Sequence, residues 1–180
     1  MTAAPTSVPI TYTSGEQVEV YRFSVPVTIG IPLLALFIQA FVPLRFPTFA
    51  AYFDLPLLVT IFFAMARRNP ISGLFTGALI GLAQDMLGHN KIGLYGIAKT
   101  VVGYGASSLG VKLDVENAGA RFLVTLAFYL VHSAVYFIVA RGLVRMTQQW
   151  SWRYGILAGL GNALLGVLIY YGLDRFKQRT

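Results

Sequence analysis

The sequence has no cysteine, which excludes disulfides, thiolate metal sites and cysteine nucleophiles. It has two histidines, His89 and His132, too few for a histidine-rich metal centre, and no metal or other cofactor is expected. Charge is also scarce. Only 12% of residues are charged, about half the share usual in a soluble domain. No phosphate-binding loop, histidine–carboxylate metal pattern or nucleophile–base set appears, and Ser107 and Ser108 have no evident activating partner. These absences point away from an enzyme.

Apolar residues fill the space that charge leaves. They make up 56% of the 180 residues, and the mean hydropathy is +0.66. A chain of this length has too little interior to hide that much apolar surface, so the bilayer is its solvent. The net charge is +7, yet the cations lie beside or between apolar segments. There they serve as topology determinants facing anionic lipid, and no nucleic-acid partner is expected.

The expected class is an all-α integral membrane protein with about six transmembrane helices in one domain, since a span needs roughly 20 apolar residues. Residues 1–24, with Pro5, Pro9 and Gly15, read as a flexible tail, and they lack the basic start and apolar run of a signal peptide. Residues 25–175 form the transmembrane domain, and 176–180 a basic tail. Within the domain the spans are predicted at 25–44, 49–66, 71–87, 92–111, 122–140 and 154–173. Pro32 should kink the first. Asp54 and Pro56 should make the beginning of the second irregular or interfacial. Gln39, Asn162 and a neutral His132 read as hydrogen-bonding links between helices.

Arg22, Arg67, Arg68, Lys112, Arg121, Arg175, Lys177 and Arg179 fall on the side of the amino terminus. Arg45, Lys91, Arg141, Arg145 and Arg153 fall opposite. The larger group favours the cytoplasm for both termini.

The third and fourth spans are the least apolar, because they carry Gln84, Asp85 and Lys99, and so should face protein. Gly73, Gly77, Gly81 and Asp85 recur every fourth residue and share one helix face. Such a face admits a close backbone, either from the same chain or from a partner. Asp85 is costly in a membrane and needs a partner. Lys99 in the next helix lies within reach of a lysine stem, so an Asp85–Lys99 ion pair is expected. Gly93 should set a tight turn back into the membrane.

The run from Ser72 through Asp85 to Gly93-Leu94, followed by Val102-Gly-Tyr104, resembles the rod shape-determining MreD family. Gly73, Gly77, Gly81, Asp85, Gly93 and Tyr104 carry the likeness, whereas Gln84 beside the acid and Lys99 in the next helix depart from it. The resemblance implies a non-enzymatic component of the bacterial inner membrane. It would bind an MreC-like protein by helix–helix contact. It would act with MreB, RodA and a class B penicillin-binding protein in the elongasome, supporting cell shape and sidewall peptidoglycan synthesis. It also implies a fold like the six-helix substrate-binding components of energy-coupling-factor transporters. A small-molecule-binding component of such a vitamin-type transporter is the competing reading.

Overall fold

Local sequence signals set where the helices begin. Asp54, Asn69, Asn117 and Ser151 each accept a hydrogen bond from the backbone three residues on, as helix N-caps do. Prolines at 26, 47, 56 and 70 fall in first turns, where a missing N–H costs nothing. The computed structural model describes residues 21–88, 91–112, 117–147 and 151–179. Its helices are α1 (Val25–Phe41), α2 (Pro47–Tyr52), α3 (Leu55–Arg67), α4 (Pro70–Leu87), α5 (Leu94–Lys112), α6 (Ala118–Gly142) and α7 (Trp152–Leu173). Single 3-10 turns extend α1 to Leu44 and α7 to Phe176. His89, Trp150 and most of the predicted amino-terminal tail lie outside the described residues.

Each predicted span is helical, with one break. The segment 49–66 is two helices, parted by Phe53 and Asp54. The 13 residues of α3 reach only about 20 Å, short of a hydrocarbon core about 30 Å thick. Among the described residues, three stretches are long and apolar enough to cross a membrane: Val25–Leu44, Ala118–Gly142 and Trp152–Phe176. Length and composition therefore support the all-helical membrane class and mark three of the six expected crossings. The remaining helices fall short because α3 is cut by Asp54 and because α4 and α5 carry polar residues and glycine.

The short helix α3 is the centre of the bundle and touches α1, α4, α5, α6 and α7. Leu57, Leu58, Ile61 and Phe63 are buried along its length. The outside is apolar as well. Val25, Ile29, Leu33, Phe37 and Phe41 form an exposed row on α1, and Ile71, Phe75 and Leu79 line α4. In water such rows would aggregate, whereas lipid accepts them. Strand β1 (Tyr21–Arg22) pairs antiparallel with β2 (Gln178–Arg179). The two flanks predicted as tails thus meet where described, at one end of the bundle.

Candidate functional site

Two features in the bundle are too specific to be ordinary packing. The first is the seam between α4 and α5. A Cβ added to Gly73 would strike Ser107 Oγ and the Gly103 carbonyl, and one on Gly77 would strike the Lys99 carbonyl. At Gly81 it would meet the Tyr95 carbonyl and Gly96, and Gly103 answers with a reciprocal clash on the Gly73 carbonyl. The glycine face is therefore filled by the chain's own next helix. It is not an open surface for a partner.

Asp85 ends that face, and its surroundings correct the expected ion pair. Its carboxylate accepts backbone N–H bonds from Gly93 (2.9 Å), Tyr95 (3.1 Å) and Gly96 (3.1 Å). It caps α5 from the preceding helix and supplies the acceptor that the first amides of that helix lack. Gly93 allows the fold-back with φ of 104°, a conformation costly for other residues. Tyr104 takes no part in the turn. It is exposed in the middle of α5.

Lys99 turns instead to Asp54, the residue at the helix break. Its Nζ lies 2.6 Å from Asp54 Oδ2 and 3.4 Å from His132 Nε2, and it sits 4.7 Å from the centre of the Tyr95 ring. Lys99 is fully buried, and Asp54 and His132 nearly so. Asp54 Oδ1 accepts from the Leu57 amide at 3.0 Å, so one carboxylate caps α3 and neutralises the lysine. His132 stacks on Tyr95 with ring centres 5.7 Å apart.

The break itself is fully satisfied. Asn162 accepts from the Asp54 amide (2.9 Å) and donates to the Tyr52 carbonyl (2.6 Å). Gln39 donates to the Phe53 carbonyl (2.9 Å) and accepts from the Leu55 amide (3.0 Å). Gln39 and Asn162 do link helices, and the backbone they hold is non-helical. Asn162 is ten residues into α7, about 15 Å from its start, so the break lies deep in the bundle. Non-helical backbone at such depth persists only where protein or a water-filled cavity surrounds it.

A cavity of about 300 Å³ opens beside the break. Asp54, Tyr95, Tyr129, His132, Tyr136 and Tyr154 are among the residues that line it. Lys99 lies behind this lining. Carboxylate, ammonium and a helix N-terminus compensate one another, and the cavity presents mainly hydroxyls and aromatic faces. Among the described residues, no group of three or more potential metal ligands converges.

Sequence reading missed the Asp54–Lys99 pair. The signal lay in Asp54-Leu-Pro56, an N-cap followed by a first-turn proline inside an apolar run.

The arrangement defines a polytopic α-helical membrane protein organised around a broken helix. It holds its intramembrane charges as neutralised or capped groups. The chain belongs to the MreD family: the family model for rod shape-determining protein MreD matches residues 21–174. It is thus a rod shape-determining membrane protein of a family that is structural in character. No curated protein and no solved structure matches it.

Proposed function

We propose that this protein is a non-enzymatic scaffold of the bacterial elongasome. It sits in the inner membrane with both termini cytoplasmic, six helices crossing, and binds the transmembrane helix of an MreC-like protein. Through that partner it acts with MreB, RodA and a class B penicillin-binding protein in sidewall peptidoglycan synthesis. The observation that carries the reading is the family match over residues 21–174. The glycine seam narrows where that contact can fall. With Gly73, Gly77 and Gly81 closed onto α5, partner contact belongs on the outer rows, such as Ile29, Leu33 and Phe37 or Phe75 and Leu79.

Site-specific photocrosslinking in cells tests this. A crosslinker at Leu33 or Phe75 should capture the MreC-like protein from at least one row, while one at buried Val102 should not. Capture from neither row, together with failure to co-purify, would sink the proposal.

A second reading, a small-molecule-binding transporter component, is favoured by the tyrosine-lined cavity of about 300 Å³, which reaches the lower end of ligand-pocket sizes. Stabilisation of the purified protein by a vitamin, together with co-purification of energy-coupling ATPases, would support it over the scaffold.

A further inference from the structure

The cavity of about 300 Å³ beside the break opens at the end of the bundle away from the β1–β2 pair, where Ser151 caps the start of α7. Tyr52 and Tyr154 stand at its mouth, 40% and 39% exposed, with ring centres 5.1 Å apart. Deeper in, the Tyr95 ring centre lies 4.9 Å from that of Tyr136 and 5.7 Å from that of His132. The Tyr95 and Tyr136 hydroxyls make no hydrogen bond to the described residues, and neither is sealed from the cavity. The volume greatly exceeds what one bridging water fills and suits a small ligand.

Charge at this end has one sign. The connections 45–53, 88–93 and 141–154 carry Arg45, Lys91, Arg141, Arg145 and Arg153, and no acid on their surface: Asp54 and Asp85 follow and precede them as buried groups. None of these five cations is in an ion pair among the described residues. Two of them are exposed close to the cavity. The Arg141 guanidinium lies 5.9 Å from the ring centre of Phe137, a wall residue, and Arg153 adjoins Tyr154. Asp54, at the floor, is neutralised by Lys99 and does not offset them. A cleft bordered by one sign of charge concentrates ligands of the other.

We infer that this cavity binds a sugar phosphate: one sugar ring lies against the tyrosine faces, bonded through its hydroxyls to Tyr95 and Tyr136, and the phosphate rests at the mouth on Arg141 and Arg153. Tyrosine suits a sugar because its ring face covers C–H groups while its hydroxyl both donates and accepts. Guanidinium forks match phosphate oxygens. An organic cation would meet five like charges. A wholly apolar chain, or a flat aromatic ligand without hydroxyls, would leave the Tyr95 and Tyr136 hydroxyls unmatched. The inference needs neither a protein partner nor an ATPase, so it rests on neither reading above.

Isothermal titration calorimetry of the full-length protein in detergent tests this with a panel of hexose 1-phosphates, the matching hexoses, inorganic phosphate and riboflavin. At least one hexose 1-phosphate should bind about tenfold tighter than its hexose and than phosphate, which is about 1.4 kcal/mol. Arg141→Gln combined with Arg153→Gln, both at exposed positions, should bring that hexose phosphate to the affinity of the hexose. Tyr136→Phe should weaken hexose and hexose phosphate alike, by about threefold to tenfold. The same hexose phosphate borne on a polyprenyl chain, in phosphatidylcholine nanodiscs, is then set against the soluble form. Competition assigns the ligand to the bilayer and its absence assigns it to the aqueous side, and either result keeps the site. Phosphate binding as tightly as every hexose phosphate would overturn the inference, leaving an anion on surface arginines. No binding of any hexose phosphate, soluble or lipid-borne, would overturn it too, leaving a water-filled cavity. Tighter binding of riboflavin than of any hexose phosphate would overturn it in favour of the transporter reading. The ligand comparison needs no variant, so a folding defect in a variant does not blunt it.

Discussion

The α4–α5 seam and the junction at Asp54 both keep helices out of lipid, by opposite means. The seam works by what is missing. Glycines remove side chains so that two backbones meet, and its tolerance is set by shape. The junction works by what is added. Asp54, Lys99, His132, Asn162 and Gln39 fill a gap in the helical backbone with hydrogen bonds, and its tolerance is set by charge. A seam fails when an atom is inserted, and a junction fails when one partner is removed.

The largest effect should come from breaking the junction. Lys99→Met leaves Asp54 buried with its countercharge gone, and should cost about 3–5 kcal/mol in stability, read by unfolding in detergent. Adding Asp54→Asn, which keeps a capping side chain, should restore much of that loss. No recovery in the double variant would show that Lys99 is held by something else.

Next comes the seam. Gly77→Ala drives a methyl onto the Lys99 carbonyl and should cost about 1–3 kcal/mol in the same assay, although alanine is the better helix former. A neutral result would mean that α4 and α5 are further apart than described.

Asp85→Asn should cost about 1–2 kcal/mol, since one amide oxygen replaces two charged acceptors for three backbone donors. Hydrogen exchange at Gly93, Tyr95 and Gly96 should rise with it. The smallest effect belongs to Gly30→Ala on α1, where nothing lies within 4 Å of the added carbon. Stability should change by less than about 1 kcal/mol and can rise, which would show that glycine matters in the seam by position rather than by type.

The two regions also differ in how far the sequence reveals them. The seam is periodic within one helix, so Gly73, Gly77, Gly81 and Asp85 declare a shared face without any knowledge of the fold. What that face meets is not local, and the structure was needed to show α5 against it. The junction has no such period. Lys99 is 45 residues from Asp54, His132 is 33 from Lys99, and Asn162 is 108 from Asp54. Proximity in the chain favoured Asp85 as the lysine's partner, but three backbone amides at the start of α5 had the prior claim on it. The break in residues 49–66 was half legible. Asp54 and Pro56 foretold an irregular beginning, but hydropathy averages across two residues and reads one span. The same averaging makes a 13-residue core helix look like part of a longer one.

The pairing of Lys99 with Asp54 is the claim on which this contrast rests, and two double-mutant cycles test it directly. Coupling between Asp54→Asn and Lys99→Met should be about 2–3 kcal/mol, as for contacting members of one buried network. The cycle of Asp85→Asn with Lys99→Met should be additive to within about 1 kcal/mol. Stronger coupling to Asp85 than to Asp54 would contradict the account and return the ion pair to the seam.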